Sequence, residues 1–180
     1  KKDASSHREK PLLEVDALSV EVAAADIESV ENSSAAADAE GSTFPVIGIG
    51  ASAGGLRALE DFFDHLPHDG GAAYVVVQHL SPDFKSLMKE LLEQRTKMSI
   101  RRVTDGMKIE PDTVFLIPPG QNLVLSGDVL RLTAQNRDSH RQPHFPIDLF
   151  FQSLAKECQE KAMGIVLSGT GSDGTRGIQS

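Results

Sequence analysis

The chain has 180 residues, a formal net charge of −8 and a single cysteine, Cys158, which suits one domain with a tail, excludes an internal disulfide and fits a reducing, cytoplasmic compartment. The charge sits at the front, because residues 1–43 carry ten acidic and four basic side chains and 44–180 are near neutral at net −2. No basic stripe is left to hold nucleic acid, and no apolar run approaches the ~20 residues of a membrane span.

Residues 1–43 are rich in Ala, Ser, Asp and Glu and hold no aromatic side chain. Such a composition buries too little apolar area to offset chain entropy, so a disordered acidic linker or tail is expected ahead of a folded domain at 44–180. From Phe44 the pattern changes. Val46–Ile49 reads as a short apolar strand ending in glycines, and Leu56, Leu59, Phe62, Phe63 and Leu66 then recur at helical spacing. Pro67 to Gly71 breaks that helix, and Ala73–Val77 is a continuous β-branched strand, expected to be buried on both faces. Ser81-Pro82 reads as an N-cap and first helical residue, with Phe84, Leu87, Met88, Leu91 and Leu92 as the apolar stripe.

Ile100–Val103 and Thr113–Ile117 read as further short strands. Asn122–Leu125 and Val129–Leu132 flank Ser126-Gly127-Asp128, a hairpin signal. A third helix begins at Ile147, with Phe150, Phe151 and Leu154 on one face, and Met163–Leu167 reads as another buried strand. The alternation of strand and helix predicts an α/β fold: three layers around a doubly wound, mainly parallel, Rossmann-like sheet, interrupted by one antiparallel hairpin.

The first strand runs into Gly48-Ile49-Gly50-Ala51-Ser52-Ala53-Gly54, which fits two motifs. Read from Gly48 it is the G-x-G-x-x-G/A loop of a dinucleotide fold. Read from Gly50 it is a G-x-S-x-G nucleophile elbow. A dinucleotide fold wants an acid at the end of its second strand, but Gln78 and His79 stand there, which disfavours the cofactor. Three strands instead end near a hydroxyl (Ser52), an imidazole (His79) and a carboxylate (Asp173), the elements of a triad, where ligands bind in open α/β sheets. Gly50 and Gly54 would lift the serine clear of the sheet, and the Ala53 N–H would face an oxyanion. Each residue also has a structural alternative: Ser52 as a helix cap, His79 as a surface residue, Asp173 as a turn residue bonded to its own backbone. No cofactor and no metal are expected, since the remaining histidines show no ligand spacing.

At these residues a family resemblance emerges. FPVIGIGASAGGLRAL, VVVQHLSPDF, VFLIPPGQNL and GIVLSGTGSDGTRG together resemble the catalytic domain of the chemotaxis protein-glutamate methylesterases (CheB type), from about Phe44 to Ser180. The resemblance implies Ser52 as nucleophile, His79 as base and Asp173 as its orienter, with backbone N–H groups of Ala53 and Thr170 at the oxyanion. It implies hydrolysis of γ-glutamyl methyl esters on the cytoplasmic helices of chemoreceptors, sometimes with glutamine deamidation. Ala53 and Thr170 stand where typical chemotactic members carry Thr and Met. The chain therefore resembles the branch fused to a CheR-type methyltransferase and sensory domains. In that family the domain continues past the GxDG motif, so C-terminal truncation is expected here. The other reading kept open is a non-catalytic signalling or docking module of a larger fusion.

Overall fold

The computed structural model describes residues 42–52, 54–78, 87–135, 145–168 and 172–180. Their elements in chain order are β1 (Val46–Ala51), α1 (Leu56–His65), β2 (Ala73–Gln78), α2 (Met88–Leu92), β3 (Ser99–Arg102), β4 (Met107–Lys108), β5 (Thr113–Leu116), β6 (Gln121–Ser126), β7 (Val129–Ala134), α3 (Pro146–Cys158) and β8 (Ala162–Ser168). Of the expected linker, residues 1–41 lie outside the described residues. Ser42 is buried, and Lys161 Nζ donates to its carbonyl at 2.8 Å, so packing begins two residues ahead of Phe44.

Five strands form one sheet in the order β3-β5-β2-β1-β8, and every pairing is parallel. Side chains alternate between its faces with period two. Ile47, Ile49, Tyr74, Val76 and Val114 meet Leu59 and Phe63 of α1 and Met88 and Leu92 of α2. Val46, Val75, Val77 and Phe115 meet Ile147, Phe150, Phe151 and Leu154 of α3 on the opposite face. The expected three-layer, mainly parallel architecture is present. The start expected for the second helix at Ser81-Pro82 lies outside the described residues.

The expected hairpin is β6–β7, closed at Ser126↔Val129. Gly127 adopts φ 59, as a two-residue hairpin with glycine at its first central position requires. The hairpin is larger than expected, because β4 pairs with β7 through Met107↔Leu130 to make a three-stranded antiparallel sheet. Two residues are too short to show any period in sequence. Leu123, Leu125 and Leu130 turn one face of this sheet onto the same core as α3.

Among the described residues β8 is the outermost strand of the sheet, and Met163 and Val166 are 53% and 43% exposed, so these residues alone do not bury the strand expected at Met163–Leu167.

Candidate active site

The chain leaves β1, crosses one face through α1 and returns to β2. It reaches β8, on the other side of β1, through α3 on the opposite face. Right-handed crossovers in opposite directions along a sheet must lie on opposite faces, so the winding reverses at β1. A crevice opens beyond the carboxyl end of such a switch strand. The register aligns the three neighbouring ends, with Ala51 opposite both Gln78 of β2 and Ser168 of β8. Ser52 is therefore the first residue past the switch strand, and His79 follows Gln78 in the chain. Asp173 comes five residues after Ser168. The β1–β8 ladder slips between Gly50↔Val166 and Ala51↔Ser168. Such an irregularity increases local twist and re-aims the residues beyond it.

Ser52 is half-buried in the turn that leads into α1. Its carbonyl accepts the Gly55 N–H at 2.8 Å and lies 3.4 Å from Gln78 Nε2, a long contact that ties the turn to β2. Gln78 is buried, and its Oε1 has no hydrogen-bond partner among the described residues. The N-cap of α1 is Gly55, without a side-chain cap bond, so Ser52 is not the N-cap residue of that helix.

The glycines do a different job from the one expected. Among the described residues only Asp112 and Gln159 are non-glycine residues with positive φ, so Ser52 does not sit on a left-handed elbow. A Cβ on Gly50 would meet Ile147 Cγ2 at 2.5 Å, and one on Gly48 would meet Leu154 Cδ2 at 2.8 Å. These two glycines let α3 rest directly on β1, while a Cβ on Gly54 would meet no atom of the described residues within 4 Å. The G-x-G spacing that resembled a phosphate loop is a helix-packing feature here.

Asp173 bonds within its own turn, through the Gly174 N–H, as its structural alternative had it, and also beyond that turn. Its carboxylate accepts the Ile147 N–H on Oδ2 at 3.2 Å and the Asp148 N–H on Oδ1 at 3.0 Å. It thereby caps α3, whose own N-cap, Phe145, supplies no side-chain bond. Burial pushes the Asp173 carboxyl above the ordinary aspartate range. The Asp148 and Ile147 N–H groups pull it back, the Asp148 charge raises it further, and the Gly174 N–H lowers it. A carboxylate has about four lone-pair sites, so these bonds leave capacity for an imidazole N–H.

The structure thus brings Ser52 and Asp173 to the ends of adjacent strands. His79, Ala53 and Thr170 lie outside the described residues. Sequence reasoning missed Asp148, a buried acid in the first turn of α3 that turns towards the Asp173 segment. Its only sequence signal was an acid where a helix N-terminus favours one.

The likeness to known proteins runs through these same elements. A family model described as CheB methylesterase matches residues 47–180. The protein-glutamate methylesterase/protein-glutamine glutaminase 1 of Xanthomonas euvesicatoria pv. vesicatoria is 38% identical over 135 residues, which are 74% of this chain and 37% of that protein. The chain thus spans well under half the length of such curated relatives. An uncharacterized 104.1 kDa protein of Rhodobacter capsulatus is 48% identical over 91 residues, 51% of this chain and 9% of that one. The crystal structure of the Thermotoga maritima CheB methylesterase catalytic domain superposes with a TM-score of 0.65 at 25% identity, covering 77% of this chain and 76% of that one. With the family matched over most of the chain and the fold shared with its catalytic domain, this chain belongs to the CheB methylesterase family.

Proposed function

We propose that this domain hydrolyses γ-glutamyl methyl esters on the cytoplasmic helices of methylated chemoreceptors, in sensory adaptation. The observation that carries the reading is the register that ends β2, β1 and β8 together, with Ser52 directly after the switch strand.

In this reading His79 takes the Ser52 proton as the oxygen attacks the ester carbonyl. Asp173 holds the imidazole in the productive tautomer and stabilises the imidazolium that forms. Backbone N–H groups of Ala53 and Thr170 receive the oxyanion. The tetrahedral species collapses, the C–O bond to the methoxy group breaks, and the imidazolium returns its proton to release methanol. Water, deprotonated by His79, then cleaves the acyl-enzyme to free glutamate and Ser52. Glutamine deamidation follows the same course with ammonia leaving, in keeping with the double name of the curated relatives. No step calls for a cofactor. The 104.1 kDa relative, of which the match is 9%, supports a setting inside a large polypeptide, and the residues at Ala53 and Thr170 suggest that a methyltransferase and sensory domains are fused there. A cytoplasmic location follows from the substrate, and among the described residues no helix is long and apolar enough to cross a membrane.

The test is a serine-directed fluorophosphonate on the full-length protein, with methanol release from methylated receptor measured alongside. Ser52 is expected to be labelled and Ser52→Ala to lose both signals. Folded wild-type protein that refuses the probe and releases no methanol sinks the reading. It would leave a non-catalytic docking module, which one observation favours: Asp173 already has a structural task in capping α3.

A further inference from the structure

We infer that Asp148 is a positioning residue for the reaction proposed above: its carboxylate fastens the 172–177 turn to the first turn of α3 and so sets the aim of Asp173. The inference rests on the Ser52–His79–Asp173 reading.

Asp148 and Asp173 cap each other's backbone. Asp173 accepts the Ile147 and Asp148 N–H groups, and Asp148 Oδ1 accepts the Gly177 N–H at 2.7 Å and the Arg176 N–H at 3.0 Å. Four bonds close a ring between a helix start and a turn that are 25 or more residues apart in sequence. An acid in the first turn of a helix ordinarily lies in solvent and answers its own helix dipole. Asp148 is only 5% exposed and is directed at the amides of another segment. A buried carboxylate beside a second carboxylate persists only where donors satisfy both, so the two act as one hydrogen-bonded unit.

The backbone around the ring has no slack. A Cβ on Gly177 would meet Phe151 Cβ at 2.7 Å and the Asp148 Cα and carbonyl oxygen at 2.8 Å, so the turn lies flush on α3. Gly174, at φ +90, leaves no room for a Cβ against Ile147 Cγ2 at 2.9 Å. Asp173 directly precedes Gly174, the first of these contacts in the chain. The helix amides and the Gly174 N–H hold its carboxylate, and of its about four lone-pair sites one is left for an imidazole N–H.

If Asp148 positions Asp173, losing its acceptor slows Ser52 without altering how receptor binds. The experiment uses the full-length protein and the fluorophosphonate, reading both the labelling rate constant and the final stoichiometry, with kcat and KM for methanol release. Asp148→Ala is expected to label fully but ~10²-fold more slowly, the scale of a small misplacement at the reacting centre, with KM unchanged. Asp148→Asn keeps an oxygen for the Arg176 and Gly177 amides and is expected to recover most of the rate.

Asp148→Ala labelling at the wild-type rate while Asp173→Asn is slow overturns the inference and leaves the triad standing. So does a loss confined to stoichiometry, with normal rate at the surviving sites, because that is a folding defect alone. If Asp148→Ala does not fold, Gly177→Ala takes its place, since its methyl pushes the turn off α3 while Asp148 remains. Slow labelling there, beside rapid labelling of Asp148→Asn, supports the inference, and wild-type labelling of folded Gly177→Ala overturns it. Wild-type protein that never labels overturns this inference and the parent reading together.

Discussion

Gly50 and Ile147 leave no space for one methyl group between them: a Cβ on Gly50 would stand 2.5 Å from Ile147 Cγ2. Ile147 opens α3, and its backbone N–H is one of the two that Asp173 accepts. The contact therefore sets the distance of α3 from β1 and, with it, where the Asp173 turn rests relative to Ser52. Gly50→Ala is expected to cost ~1–3 kcal/mol by overpacking and to slow Ser52 labelling. Trimming the obstacle with Ile147→Ala in the same chain should return part of that stability. Urea unfolding of the two single variants and the double variant forms a cycle, and strictly additive values would show that this contact is not the cause.

The nucleophile and the acid of the proposed triad should differ in degree. Ser52→Ala removes the attacking atom and is expected to end acyl-enzyme formation. Asp173→Asn leaves the serine and its base, and is expected to lower kcat by ~10³–10⁴ through the wrong imidazole tautomer, with KM little changed. Equal kcat in Asp173→Asn and wild type would remove Asp173 from the reaction.

Asp173 also makes a statement about stability and pH. Burial, the largest influence, raises its folded-state pKa above the ordinary aspartate value, the reverse of the usual salt-bridged acid. Between those two values the folded state binds more protons than the unfolded one, so stability falls as pH rises through that window. Below the ordinary value nothing is lost, and above the folded value the loss is complete. The stability of wild type minus that of Asp173→Asn should therefore decline as pH rises above the ordinary aspartate value of about 4. Urea titrations across that range check this, and a difference that grows with pH would contradict it.

Core and surface should separate clearly in size. Phe150 is fully buried between α3 and the sheet, and Phe150→Ala is expected to cost ~3–5 kcal/mol. Arg95 pairs with Glu60 at 3.3 Å and Asp64 at 3.5 Å, but its side chain is 42% exposed. Arg95→Ala should cost less than ~1 kcal/mol. Chemical denaturation ranks the two, and an Arg95 effect as large as that of Phe150 would mean the ion pairs matter more than their exposure allows.

Much of the framework was legible in the chain. A short apolar run ending in glycines marked β1, a continuous β-branched run marked β2, helical spacing marked α1 and α3, and Ser126-Gly127-Asp128 marked the hairpin, because each signal comes from residues close together in sequence. The candidate site was legible for the same reason. Polar residues directly after apolar strands fall at strand ends, and in a parallel sheet those ends share one edge. Family membership likewise showed in short contiguous motifs.

What only the tertiary structure decided is which segments meet. The apolar run of β8 marked a strand but not its pairing with β1, since apolarity reports burial and not which strands are neighbours. The glycines of the first loop carried two plausible motifs, and the Cβ contacts with Ile147 and Leu154 assigned them to helix packing. Asp148 and Asp173 stand 25 residues apart with no periodic link, and nothing in their local sequence marks them as partners. Periodicity encodes which face of an element is apolar. The pairing of a helix start with a distant turn is encoded in complementary donors, acceptors and missing side chains, which become visible only when the two backbones lie against each other.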